Sequence, residues 1–299
     1  MVSIFIDGEA GTTGLHLANE LRATAGVALI SLAPDRRRDP GARLDAMMAA
    51  DLIVLCLPDD AAREAVGMMP ATARVVDASS AFRVATGWTY GFPELTPGQP
   101  AAIASAARVS NPGCYATGAI ALLRPLVDAG LLPPDYPISV NAVSGYSGGG
   151  KAMIAAHVHD CGPAFELYAL GLAHKHVAEL QTHAGLTQRP IFVPSVGHFA
   201  QGMLVSIPLH LDTLPGRPTL ADLRATLAAR YGTTEHVRVA TAPADGRLEP
   251  EALNGTGDLE LFVAGNPDHR HAVLLARLDN LGKGASLAAV QNVTLMLGL

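Results

Sequence analysis

Near the N-terminus the apolar positions come in short, almost unbroken runs. Residues 2–7 (VSIFID), 27–32 (VALISL), 52–57 (LIVLCL) and 74–78 (RVVDA) each read as a strand. A run apolar at consecutive positions suits a parallel strand covered on both faces, and residues 52–57 fit that best. Residues 13–22 carry a helical pattern between the first two runs. Pro58 closes the third run, and Asp59 and Asp60 offer carboxylates to cap the helix after it. Strand–helix alternation at this spacing predicts βαβ units, and hence an N-terminal Rossmann-type parallel sheet.

After about Asn111 the texture changes. Residues 116–129 look helical, with Pro125 expected to kink them. Strand-like stretches follow at 138–143, 191–196, 204–209, 237–240 and 273–278, with a helix at 220–231 and long loops between. This predicts an α+β second domain with a mixed, mostly antiparallel sheet. The tail, 285–299, reads as a final apolar helix.

Composition narrows the classes. The 299 residues are 49 % hydrophobic and only 16 % charged, which excludes a disordered chain or a coiled coil. Basic and acidic side chains number 21 and 27, a net of −6, without the basic face of a nucleic-acid binder. Cys56, Cys114 and Cys161 are too few and too scattered for a disulfide framework or a zinc ribbon, which points to a reducing cytoplasmic setting. The longest charge-free stretch, 190–211, contains three prolines and cannot be a spanning helix, so no membrane association is expected.

Gly8, Gly11 and Gly14 recur every three residues directly after the first strand. Glycines there permit a tight turn that brings backbone close to a pyrophosphate, and the helix start adds unpaired N–H groups. Thr12 and Thr13 add hydroxyls. The spacing is GxxGxxG and not GxGxxG, so a turn that merely packs helix on sheet is the alternative; the position after the first strand of an open α/β sheet favours a dinucleotide. Past the second strand stand Asp35 and three arginines from Arg36 to Arg38. Guanidiniums at that place suit the 2′-phosphate of NADP(H), with Arg36 the assigned contact.

Cys114 lies in SNPGCY (110–115), just before a helix, where the dipole and free N–H groups favour a thiolate. Cys56 reads as a core residue and Cys161 as a loop residue. His174, Lys175, His176 and Glu179 place two imidazoles, an ammonium and a carboxylate within about two turns, which equally suits acid–base chemistry or a surface cluster. His157, His159 and Cys161 have no partner cluster at ligand spacing, so no metal is expected. SGYSGGGK (144–151) fails the phosphate-loop pattern because Ala152 follows Lys151, though its backbone can still face an anion. Ser79 and Arg83, after the fourth strand, offer a hydroxyl and a fork to a phosphate or carboxylate.

Together these residues resemble the N-acetyl-gamma-glutamyl-phosphate reductases of the shorter subclass, from end to end. The matching motifs are the glycine turn at 8–14, DASSAFR (77–83), YGFPEL (90–95), SNPGCYATG (110–118), SGYSGGGK (144–151), HKHVAEL (174–180) and DNLGKGASLAAVQN (279–292). Aspartate-semialdehyde dehydrogenases share the architecture and cysteine chemistry but differ in these motifs. The resemblance implies NADPH-dependent reduction of an acyl phosphate to a semialdehyde in arginine biosynthesis. It implies Cys114 as nucleophile, His174 as acid/base and Glu179 as its orienting carboxylate, with Ala178 where the family often has proline. Substrate contacts are assigned to Arg83, Asn111, Ser144, Lys151 and His176, and cofactor contacts also to Ser79, Gly284 and Asn292. Residues 1–112, completed by 281–299, would bind NADP(H), and 113–280 would form the catalytic and oligomerisation domain of a homodimer or homotetramer. Two rivals remain: a reductase for aspartyl phosphate or a carrier-linked acyl phosphate, and a non-catalytic NADP-binding regulator.

Overall fold

The computed structural model describes residues 1–299, which form two compact units. The first comprises Met1–Pro93, Gly98–Gly113 and Ala285–Leu299; the second comprises Glu94–Pro97 and Cys114–Gly284. No helix is long and apolar enough to cross a membrane.

In the first unit the elements run β1 (Val2–Asp7), α1 (Thr12–Ala23), β2 (Val27–Ile30), α2 (Pro40–Ala49), β3 (Leu52–Leu55), α3 (Asp59–Met68), β4 (Val75–Asp77), β5 (Thr89–Tyr90), α4 (Gln99–Ser105) and β6 (Arg108–Ser110). All the strands pair in parallel, in the order β2-β1-β3-β4-β6-β5. Alternation along each strand sends side chains to opposite faces. Ile4, Ile6, Leu52 and Val54 pack with α1, α4 and the C-terminal helix (Leu287–Leu297), whereas Phe5, Ile53 and Leu55 pack with α2 and α3. Helices on both faces explain why β3 is apolar at every position.

The capping expectation at α3 fails. Its N-cap is Pro58 with no side-chain cap, and the Asp59 carboxylate instead accepts from the Ser80 amide at 2.9 Å and the Ser80 hydroxyl at 2.7 Å. Pro58 brings the helix start one residue earlier than expected, so both aspartates fall inside the first turn. There their charge still favours the positive end of the helix dipole.

The second unit contains α5 (Cys114–Asp128), β7 (Ser139–Gly145), α6 (Gly150–His159), β8 (Phe165–Leu167), α7 (His176–His183), β9 (Ile191–Gly197), β10 (Met203–His210), α8 (Leu220–Tyr231), β11 (Val237–Val239), β12 (Leu259–Asn266) and β13 (His271–Leu278). Its sheet runs β11-β12-β13-β10-β7-β9-β8. The β11–β12 and β7–β9 pairs are parallel and the rest antiparallel. Helix α5 lies so close to the sheet that a Cβ on Gly118 would stand 3.0 Å from Val205 and 3.1 Å from Ala276. The long loops expected in this half in fact hold α6, β8, α7 and β12.

Pro125 does not end α5, which continues to Asp128. A proline has no N–H for the carbonyl four residues earlier. That carbonyl, on Ala121, instead accepts from the Tyr231 hydroxyl of α8 at 2.9 Å. The buried acceptor is thereby satisfied.

Candidate active site

In the first unit the glycines close the turn after β1. Gly8 has φ +91°, and a Cβ there would lie 2.3 Å from the Cys56 carbonyl oxygen; a Cβ on Gly14 would lie 2.3 Å from the Gly8 oxygen. The turn therefore packs only if both are glycine. Gly11 is the N-cap of α1 and supplies no side-chain cap, so the first amides of that helix, at Thr12, Thr13 and Gly14, keep the unpaired character of a helix start. Beside this turn is a cavity of about 380 Å³ lined by Gly8, Glu9, Leu32, Pro34, Arg37 and Arg38, among others. A tight glycine turn, an uncapped helix start and an adjoining cavity with two guanidiniums fit a dinucleotide phosphate.

Arg36 does not line that cavity; its guanidinium turns to Asp39 at 3.4 Å. Arg37 and Arg38 are the arginines there, whereas the sequence alone assigns the contact to Arg36. Two carboxylates border the cavity, and both are ion-paired: Asp7 takes two hydrogen bonds from Arg43, at 3.0 and 2.7 Å, and Glu9 pairs with Arg22.

Deeper in this unit, Ser79, Arg83, Asn111 and Asn292 belong to a polar seam. The Ser79 hydroxyl donates to Asp77 at 2.6 Å, and Arg83 donates to the carbonyls of Asn111 (3.0 Å) and Ala78 (3.2 Å). Fully buried Asn292 donates to the Asn111 side chain and to the Gly91 carbonyl, both at 2.9 Å, and Asn111 donates to the Ala285 carbonyl at 3.0 Å. A Cβ on Gly91 would sit 2.4 Å from the Asn292 amide nitrogen, so only glycine admits this seam. Burial pushes the Asp77 carboxyl up to about 6, against the Ser79 hydrogen bonds and the nearby Arg83 charge.

In the second unit Cys114 is the first residue of α5 and is partly exposed. Gly284, within the π-helical turn Gly282–Ser286, lies directly on it: a Cβ there would come within 2.7 Å of the Cys114 Cβ. Two phenols stand close to the sulfur. Burial, followed by the influences of Tyr168 and Cys114, holds the Tyr115 hydroxyl well above the ordinary phenol range. Burial likewise pushes Tyr168 up to about 12, with the Cys114 charge contributing against the hydrogen bond to Tyr115. Both are neutral hydrogen-bonding groups near neutral pH, linked at 3.3 Å, with Tyr115 donating onward to the Ser195 carbonyl at 2.9 Å. The Ser144 hydroxyl also bonds Tyr115.

The histidine motif reaches the same place. The His174 ring meets Tyr115 edge-on at 6.1 Å and Tyr168 at 5.7 Å, and His176 lies 4.7 Å from His174. His174 Nδ1 accepts the His176 amide at 3.1 Å, so the neutral ring carries its proton on Nε2. His176 and Glu179 are buried on one side of α7, a single turn apart, while His174 is half-buried. Lys151 is exposed in the first turn of α6. Tyr115 and Tyr168 were not singled out in the sequence. Tyr115 is adjacent to the cysteine, but nothing near Tyr168 marks it.

The other cysteines differ. Burial, then the charges of Asp77 and Asp7, pushes the Cys56 thiol up to about 12, and Cys161 is exposed just after α6. No group of three or more His, Cys, Asp or Glu could hold a metal ion.

Two family descriptions match the chain: semialdehyde dehydrogenase, NAD binding domain, over residues 39–105, and semialdehyde dehydrogenase, dimerisation domain, over residues 114–280. Among solved structures it is similar to aspartate semialdehyde dehydrogenase II from Vibrio cholerae (TM-score 0.69, 17 % identity, 100 % of this chain and 99 % of that one). The aspartate semialdehyde dehydrogenase with NADP from Candida albicans aligns with TM-score 0.68 at 14 % identity, over 99 % of this chain and 98 % of that one. Both likenesses speak to the fold. In sequence, N-acetyl-gamma-glutamyl-phosphate reductase 2 of Pseudomonas putida is 52 % identical over 99 % of this chain and 96 % of its own length. N-acetyl-gamma-glutamyl-phosphate reductases of Burkholderia lata (53 %) and Brucella suis (52 %) match over 99 % of this chain, and over 96 % and 98 % of their own lengths. With identity above half across essentially the whole length, the chain belongs to the N-acetyl-gamma-glutamyl-phosphate reductase family.

Proposed function

We propose that this chain reduces N-acetyl-gamma-glutamyl phosphate to N-acetylglutamate semialdehyde, releasing inorganic phosphate, through a thioester on Cys114. The observation that carries the reading is Cys114 itself: a partly exposed thiol as first residue of α5, with Gly284, the two phenols and His174 grouped on its side of the second unit.

The Cys114 thiolate attacks the acyl carbonyl, a C–S bond forms, and phosphate leaves with the C–O pair, taking up one proton from solvent to become hydrogen phosphate. The positive end of the α5 dipole, at Cys114, steadies the oxygen that becomes negative. A reduced nicotinamide, when bound, supplies the hydride that the thioester accepts. The resulting oxyanion expels thiolate to give the aldehyde, so the balanced step needs no net proton. His174 fits that balance, because with Nδ1 occupied by the His176 amide its Nε2–H donates to the oxyanion and holds its proton through the collapse. The residue acts as a donor more than as a shuttle, and the His176 amide fixes its tautomer.

The assay runs in reverse with semialdehyde, NADP and inorganic phosphate, following absorbance of the reduced cofactor. Strict phosphate dependence, loss in Cys114→Ala, a kcat fall of about 10²–10³ in His174→Gln and preference for the acetylglutamyl substrate over the aspartyl one are expected. Activity that survives Cys114→Ala, or that ignores phosphate, refutes the reading.

NADP(H) is the proposed form of the cofactor. Arg37 and Arg38 line the cavity beside the glycine turn, and its carboxylates are already paired. A homo-oligomer is proposed as well. Strand β8 is an edge of the second sheet, and Phe165 and Leu167 on it are 57 % and 50 % exposed, with Leu170 beyond it 70 % exposed. An apolar edge strand is a template for pairing.

A further inference from the structure

Lys283 is a lysine where lysines are rarely found. It is 1 % exposed, and its ammonium bonds Glu94 Oε1 at 2.8 Å, with Glu94 also buried. Burial depresses the ammonium's pKa and the Glu94 charge opposes that. Such pairs seldom add stability over apolar side chains of the same size, so their presence asks for another explanation.

Lys283 precedes Gly284, the residue lying on Cys114. Locally the turn is held by Asp279: its carbonyl accepts the Gly284 amide at 2.9 Å, and its carboxylate takes the amides of Leu281 (2.9 Å) and Gly255 (2.8 Å). A Cβ on Gly282 would meet the Thr256 carbonyl at 2.2 Å, so the turn cannot be thickened. π-type turns recur at functional sites.

Glu94 closes a circuit. The next residue, Leu95, gives its carbonyl to Arg230 of α8, and Arg230 pairs with Asp128 at 2.7 Å. Asp128 is the last residue of α5, whose first residue is Cys114. The tetrapeptide Glu94–Pro97 thus grips the far end of the nucleophile's helix through Leu95, and through Glu94 it grips the turn pressed on the near end.

We propose that the Lys283–Glu94 pair is a positioning device for Cys114: it sets Gly284 against the start of α5 so that the sulfur holds one direction. The two residues act through Gly284 and take no part in the bond changes. The inference rests on Cys114 as nucleophile and is independent of which acyl phosphate is the substrate.

The test replaces the pair by side chains of similar volume, Lys283→Met with Glu94→Leu, which leaves no uncompensated charge. Melting temperature and NADPH affinity confirm the fold. Iodoacetamide alkylation of the Cys114 peptide is then followed against pH by mass spectrometry, alongside kcat and KM in the reverse assay. Expected are a changed alkylation rate or midpoint and a kcat lowered on the order of 10- to 100-fold with KM nearly unchanged, the signature of lost orientation. If the double variant does not fold, Glu94→Asp keeps both charges and shortens the reach, and the same signature is expected. A parental alkylation profile in a folded variant overturns the proposal. Alkylation needs neither substrate nor cofactor, so absent turnover of the acetylglutamyl substrate would count against the proposed substrate alone.

Discussion

Replacing Asp77 by asparagine should make the protein more stable at alkaline pH than at acid pH, relative to the parent. The carboxyl is fully buried at the end of β4; Oδ2 accepts from Ser79, and Oδ1 has no hydrogen-bond partner. Burial lifts its pKa from 3.8 to about 6. Because the folded value is the higher one, the folded state holds a proton that the unfolded chain releases between those values. Stability is therefore complete below pH 3.8 and falls as pH rises towards 6. A shift of about two units at 1.36 kcal/mol each gives a loss of about 3 kcal/mol, of which about 2 kcal/mol falls above pH 4.5. Asparagine keeps an acceptor for the Ser79 hydroxyl and never ionises, so it escapes the loss. Melting curves of both proteins at pH 4.5 and pH 8 should show the variant's advantage growing by roughly 4–8 °C. A difference that stays constant across that range, or one that shrinks, refutes the argument that Asp77 is ionised at a cost.

Two further sets of substitutions separate competing assignments. Arg37→Ala and Arg38→Ala should each raise the KM for NADPH by about tenfold or more while leaving that for NADH nearly unchanged, since a charge-assisted hydrogen bond contributes about 1.5–3 kcal/mol, and Arg36→Ala should do little. Equal effects on both cofactors in steady-state kinetics would remove the 2′-phosphate reading. Phe165→Asp with Leu167→Asp should shift the species seen by sedimentation velocity towards monomer, and an unchanged sedimentation coefficient would place the subunit contact elsewhere.

The first unit was the more legible in sequence because parallel strands buried on both faces announce themselves, as Leu52–Leu55 does. The helix Pro40–Ala49 went unread although its start was signalled: Asp39 caps the Gly41 amide at 2.9 Å and Pro40 is its first residue. Strand β12 was hidden by its own chemistry. Glu260 breaks the apolar pattern, yet it is buried because Arg238 and Arg277 clamp it at 2.7 Å and 2.5 Å. A carboxylate whose partners stand 22 and 17 positions away reads locally as a loop. The candidate site divides in the same way. Cys114, the glycine turn and the His174 motif are contiguous stretches with recognisable chemistry, whereas Tyr168 and the Lys283–Glu94 pair reach Cys114 only through tertiary contacts.

The hydroxyl of Tyr231 stands in for an amide that proline cannot provide. The consequence is epistasis between positions 125 and 231. With proline in place, losing that hydroxyl strands the Ala121 carbonyl without a donor; with alanine at 125, the backbone itself would cover the carbonyl and the tyrosine would be released. Each side chain thus licenses the other, and natural drift at either position should be constrained by the history of its companion.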